Sequence, residues 1–191
     1  MGEVKHLRKV EELFRKSPVV DAASVARIAG RDYSKQLLRN MERSGRIKRI
    51  VKGFYTTRDD PALVVFCLKS AYLGLQDALS FHGLWEQETI PVIITSRRVR
   101  SGLRSVMGQN VLVRRTGRKY LFGFGLEKQG DAYLPYSDIE KTLIDMVHFR
   151  QPLGAETLRE IKKHADRKRL EKYLKAYPKR TGETVRTIVR K

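Results

Sequence analysis

Between residues 34 and 44 the apolar side chains stand at Leu37, Leu38 and Met41, and the positions around them are polar. At about 100° per residue those three fall within one arc, and Lys35, Gln36, Arg39, Asn40 and Arg43 fall on the opposite one. The pattern predicts a helix buried along one side. Gly45 is expected to end it, because glycine takes the left-handed terminal conformation without a steric penalty. Residues 47–50 and 54–57 flank Lys52-Gly53, which predicts a two-stranded hairpin. Upstream, Val4, Leu7, Val10, Leu13 and Phe14 recur at helical spacing across residues 4–16, and Ser17-Pro18 stops that helix. Val19-Val20 is expected as a short strand. Asp21 is expected as the N-cap of a second helix that runs to Ala29, with Val25 and Ile28 inward and Gly30 closing it. Arg31-Asp32-Tyr33 is then a turn into the helix of residues 34–44.

Beyond Asp59-Asp60-Pro61, a candidate domain boundary, the pattern changes. Residues 62–68 and 75–82 predict two helices, with Leu75, Ala78 and Leu79 inward. Residues 90–95 form a β-branched run with few polar breaks, which predicts a buried strand. Residues 96–104 are expected as a basic loop, and residues 111–115, 119–124 and 132–134 as further strands of a small mixed or antiparallel sheet. Ser137 is expected to cap the next helix, with Glu140 at the capping-box position and Ile139, Leu143, Ile144 and Val147 facing the core. Residues 158–164, 167–176 and 184–189 are expected as short basic helices, with Asp166 an N-cap and Pro178 a break. The fold class is therefore α+β. Residues 1–58 would form one domain, residues 59–150 an α/β domain, and residues 151–191 a helical tail that packs on it or extends it.

Charge sharpens this picture. The 191 residues carry a formal net charge of +19, which points to a polyanionic partner, nucleic acid first. The charge is unevenly spread. Residues 1–58 hold 15 Lys and Arg against 6 Asp and Glu, residues 97–119 hold 8 against none, and residues 151–191 hold 13 against 5. The two intervening segments are slightly acidic and apolar, as a core should be. A single cysteine, Cys67, excludes an intrachain disulfide and fits a reducing cytoplasm. No apolar leader and no run of about 18 apolar residues is present, so no membrane association is expected.

The chemistry on the outward arc of residues 34–44 suits duplex DNA. Arg pairs with guanine, Asn and Gln with adenine, and Lys with phosphate. A helix, a short turn, a second helix and a basic ribbon are the layout of a winged helix-turn-helix. The candidate DNA contacts are Arg31, Tyr33, Ser34, Lys35, Gln36, Arg39, Asn40 and Arg43 from the helix and its lead-in. Lys48, Arg49 and Lys52 join them from the ribbon, and Arg97, Arg98, Arg100 and Arg104 from the basic loop. No cofactor, metal or catalytic residue is expected. His6, His82, His148 and His164 show no ligand spacing with one another or with Cys67. The acids are scattered, and Gly123-Phe124-Gly125 lacks the third glycine of a phosphate loop. An RNA partner fits the net charge as well as DNA does, and a nucleic-acid enzyme remains the further alternative.

The order of the segments resembles the AbiEi family of antitoxin-type transcriptional regulators. The pieces that carry the resemblance are R-I-K-R-I-V-K-G-F-Y, Y-L-G-L-Q-D-A-L-S-F-H-G-L-W-E-Q, I-P-V-I-I-T-S-R-R, S-D-I-E-K-T-L-I-D-M and R-L-E-K-Y-L-K-A-Y-P-K-R. They span nearly the whole chain. What the resemblance implies is an N-terminal winged helix, operator binding with autoregulation as a repressor, and neutralisation of a nucleotidyltransferase-type toxin by the C-terminal domain.

Overall fold

The computed structural model describes the backbone of residues 2–190 and the side chains of residues 6–190; the Val4 side chain expected on the first helix lies outside them. Two compact units divide the chain: residues 1–67 with 105–110, and residues 68–104 with 111–191.

The first unit opens with α1 (Gly2–Lys16), β1 (Val20–Asp21), α2 (Ala22–Ala29) and α3 (Arg31–Arg43). It continues with β2 (Lys48–Val51) and β3 (Phe54–Thr56). Asp21 caps α2 as its residue type suggests, its Oδ1 accepting from the Ser24 backbone N–H at 2.9 Å. Gly30, at φ +84°, is the whole joint between α2 and α3. The expected turn over residues 31–33 is instead the first turn of α3. Asp32 there favours the helix dipole, and the Ser34 N–H already bonds Gly30 O at 3.0 Å. Gly45, at φ +71°, ends α3, and the Arg46 N–H reaches back to Met41 O at 2.9 Å. Val10, Phe14, Val20, Val25, Leu37, Leu38, Met41 and Ile47 form one core. Each such side chain contributes about 1.5–3 kcal/mol on burial. The strands make an antiparallel sheet in the order β1-β3-β2, with a bulge between Arg49 and Val51. Residues 62–68, expected as an α-helix, form instead the 3-10 turn Pro61–Cys67. Five of its first five side chains are buried, so no polar face exists to support an amphipathic helix.

The second unit is built on a mixed six-stranded sheet. The strands of this sheet are β4 (Ala71–Leu73), β5 (Val92–Thr95), β6 (Gly102–Val106), β7 (Gln109–Arg115), β8 (Phe124–Gln129) and β9 (Ala132–Ser137), in the order β6-β7-β5-β4-β9-β8; residues 105–110, the end of β6 and the start of β7, are counted with the first unit. β4 runs parallel to β9 and β5 parallel to β7, while β4–β5 and β8–β9 are antiparallel. The helices are α4 (Leu75–Phe81), α5 (Ile139–His148), α6 (Ala155–His164), α7 (Arg167–Leu174) and α8 (Lys179–Arg190). α5 is the hub, in contact with α4, α6, α7 and α8. The fold class is α+β with a mixed sheet.

Three expectations for this unit are corrected. The strand over residues 119–124 does not form. Arg118–Tyr120 is a 3-10 turn, and the strand begins only at Phe124, after Gly123 turns the chain at φ +68°. Ser137 is the last residue of β9, and Asp138 is the cap of α5, its Oδ1 accepting from the Lys141 N–H at 2.8 Å. Glu140 does not close a capping box; its Oε1 accepts from the Asp166 N–H at 2.6 Å, at the start of α7. The basic loop is shorter than expected, since β6 takes residues 102–104. Asp166 caps α7 as expected, and Pro178 separates α7 from a longer α8.

Candidate nucleic-acid interface

α3 is anchored by Leu37, Leu38 and Met41, all at most 6% exposed. Lys35, Gln36, Arg39, Asn40 and Arg43 are all exposed, as is Arg31 at its start. None of these side chains is engaged in a hydrogen bond or ion pair among the described residues. Each is free to meet a ligand without first breaking a bond. Tyr33 is half-buried beside the His6 ring, with centroids 6.5 Å apart. Ser34 departs from expectation. It is 3% exposed, and its Oγ donates to Arg31 O at 2.9 Å, so the hydroxyl belongs to the helix interior and not to the outward face. The helix starts three residues earlier than expected, which adds one acid, Asp32, to its exposed surface. That carboxylate would repel phosphate and suits a hydrogen-bond donor such as cytosine N4.

On the β2–β3 ribbon, Arg49 and Lys52 are exposed and unpaired among the described residues. Lys48 is exposed but holds Asp59 at 2.7 Å. Such an exposed pair is worth about 0–1 kcal/mol, so it does not tie the ammonium down. Arg46, which no pattern singled out, pairs with Glu11 of α1 at 3.1 Å. Gly53, at φ +83°, makes the ribbon tip.

The remaining candidates lie in the second unit. Arg97, Arg98 and Arg100 are exposed. Arg104 is folded onto its own loop, its Nη2 donating to Arg100 O at 2.6 Å and its Nη1 to Leu103 O at 3.2 Å. It shapes that loop and is not free for a partner.

No family model matches this chain, and no curated protein does. Its fold is similar to that of a solved structure. That structure is the crystal structure of the RV2827C protein from Mycobacterium tuberculosis, with a TM-score of 0.65 and 18% sequence identity. The match covers 96% of this chain and 75% of that one. At that identity the likeness shows the fold alone.

The most chemically charged cluster lies elsewhere, and no spacing in the sequence announced it. Lys141 and Asp145, one turn apart on α5, are 0% and 1% exposed. Lys141 Nζ donates to both Asp145 oxygens at 2.5 Å, to Tyr72 Oη at 2.6 Å and to Tyr177 Oη at 2.8 Å. Tyr72 and Tyr177 each donate their hydroxyl to Asp145, at 2.6 and 2.7 Å. The ammonium also lies over the Tyr72 and Phe122 rings, 4.8 and 5.6 Å from their centroids. Burial pulls the Lys141 pKa down, against the pull of Asp145. Burial, then Asp145, pushes Tyr72 and Tyr177 up. With every donor satisfied and no solvent access, this network ties α5 to β4 and to the segment between α7 and α8. His82 is likewise engaged with structure, its Nε2 2.8 Å from Ser137 O. Among the described residues no three of His, Cys, Asp and Glu come together so as to hold a metal ion. No helix among them is long and apolar enough to cross a membrane.

Proposed function

We propose that the first unit is a winged helix-turn-helix module that binds double-stranded DNA with sequence preference, and that the protein acts as a transcriptional regulator. One observation carries this: α3 buries Leu37, Leu38 and Met41 and leaves Lys35, Gln36, Arg39, Asn40 and Arg43 exposed and unengaged. α2, Gly30 and α3 would be the two helices and their turn, and the β2–β3 ribbon the wing. In this arrangement α3 lies in the major groove. Gln36, Arg39 and Asn40 meet base edges, while Lys35, Arg43, Arg49 and Lys52 meet phosphates. The acid-poor charge of residues 1–58 supports the same partner, and the resemblance to AbiEi-type regulators supports the regulatory role.

The test is a comparison of Arg39→Ala and Asn40→Ala with the unaltered chain, on a selected duplex and on a scrambled one. Each substitution is expected to cost about 1–3 kcal/mol on the selected duplex and much less on the scrambled one. Equal loss on both would mean that these side chains contact only backbone.

A further inference from the structure

We propose that the second unit carries its own phosphodiester-binding surface, one that grips nucleic-acid backbone without reading sequence. It lies at the carboxyl ends of β5 and β7. These strands are parallel and in register, with Thr95 beside Arg115. The chain leaves β5 into Arg97 and Arg98 and leaves β7 into Thr116, Arg118 and Lys119, so the cations of two separate segments meet at one sheet end. One hydrogen bond ties the exits together, Thr116 N–H to Thr95 O at 2.9 Å, and a second, Arg97 N–H to Thr95 Oγ1 at 3.2 Å, shapes the β5 exit itself. Carboxyl ends of parallel strands are where open sheets bind their ligands.

Two further features point to an anion. Residues 89–126 contain no Asp or Glu, and none of the cations at this sheet end has a carboxylate partner among the described residues. Arg97, Arg98, Arg115, Arg118 and Lys119 are all exposed. On the β7 exit itself, Arg114 Nε and Thr116 Oγ1 are buried and have no hydrogen-bond partner. An unpaired buried donor is costly, so an Arg114 guanidinium that swings out to a phosphate gains a partner at no loss of an existing one. The two orphaned groups are two residues apart on one strand exit and so share a side of it.

A flexible chain of phosphates suits this rim better than a single enclosed anion, because its cations are spread along two exits and stand in solvent. The surface rests on the nucleic-acid function proposed above and extends it. α3 would supply discrimination, and this rim would supply affinity and salt dependence.

The experiment measures binding of the full chain to a scrambled and a selected duplex over a range of salt. Arg115→Ala/Arg118→Ala is expected to flatten the log–log salt slope by about two on both duplexes, since each lost phosphate contact contributes about 0.9. Thr116→Val keeps the charge. It is expected to weaken binding by about three- to tenfold, as loss of one hydrogen bond does, with the slope unchanged. Lys172→Ala/Lys175→Ala, at the end of α7 and its C-cap, removes equal charge from another exposed site and is expected to leave the slope nearly unaltered. The proposal is overturned if the Arg115/Arg118 variant keeps the parent slope, if the α7 variant flattens it equally, or if Thr116→Val binds as the parent does. Arg39→Ala in the same assay separates the two claims. Loss of discrimination with an intact rim effect keeps both, whereas an intact rim effect with no loss of discrimination removes only the α3 assignment. A parent chain that binds neither duplex removes both.

Discussion

The Lys141–Asp145 pair is sealed from water on every side, and its energetics differ from those of the exposed pairs on α1 and α8. Removing one member of a buried pair strands the other charge, at a cost of about 3–5 kcal/mol. Asp145→Asn and Lys141→Met are each expected to fall in that range by urea unfolding. The double variant Lys141→Met/Asp145→Leu is expected to cost well under the sum. Single variants that cost less than about 1 kcal/mol, as for an exposed pair, would contradict the sealed network. The tyrosines give a pH signature. Burial and then Asp145 hold Tyr72 and Tyr177 above the ordinary tyrosine value of 10.0. Below that value their contribution to stability is whole. Above it the unfolded chain releases protons that the folded chain keeps, so stability falls as pH rises. Lys141, pulled below 10.5 by burial, works in the opposite direction and offsets part of the loss. Tyrosinate absorbance should therefore show Tyr72 and Tyr177 ionising only as the chain unfolds. A smooth titration of all eight tyrosines in the folded protein would refute it.

Elements differ in how far local pattern decides them. α2 and α3 were readable because Asp21, Gly30 and Gly45 punctuate them and because Leu37, Leu38 and Met41 keep a helical period. The boundary at residue 31 was not, since Arg31-Asp32-Tyr33 carries no apolar mark and only the Gly30 geometry starts the helix there. The run Pro61–Cys67 has no period at all, so nothing in it separates a 3-10 turn from an α-helix. The strand expected at 119–124 failed for a non-local reason. Gly123 is packed where an added Cβ would stand 2.9 Å from Lys141 Cβ and 2.9 Å from the Tyr173 ring. Gly123→Ala meets both that crowding and a φ of +68°, and is expected to cost about 2–4 kcal/mol. Gly45→Ala has the same backbone sign but open space around it, so about 1 kcal/mol is expected. Equal melting temperatures for the two variants would show that the Gly123 contact is not what shapes this bend. Of the outward set, α3 was readable from its own arc. Ser34 stands in the middle of the apolar arc, three, four and seven residues before Leu37, Leu38 and Met41, so its hydroxyl is carried inward and bonds its own helix. The rim at β5 and β7 was half visible, as a block of charge, but its assembly depends on a parallel pairing that no local pattern reveals.

For the molecule as a whole, a net charge of +19 makes some affinity for any polyanion inevitable, and binding at low salt decides little. What distinguishes a regulator from a general nucleic-acid binder is discrimination that survives when charge is screened. At about 0.15 M salt the Debye length is near 8 Å, so diffuse attraction fades while base contacts persist. The direct measurement is selection from a pool of random duplexes by the full chain at that salt, followed by sequencing of the retained molecules. Enrichment of one motif, and its loss when Gln36, Arg39 and Asn40 are all replaced by Ala, is the predicted result. Retention of the pool without enrichment, or the same motif recovered by the triple variant, would contradict the placement of α3 against bases.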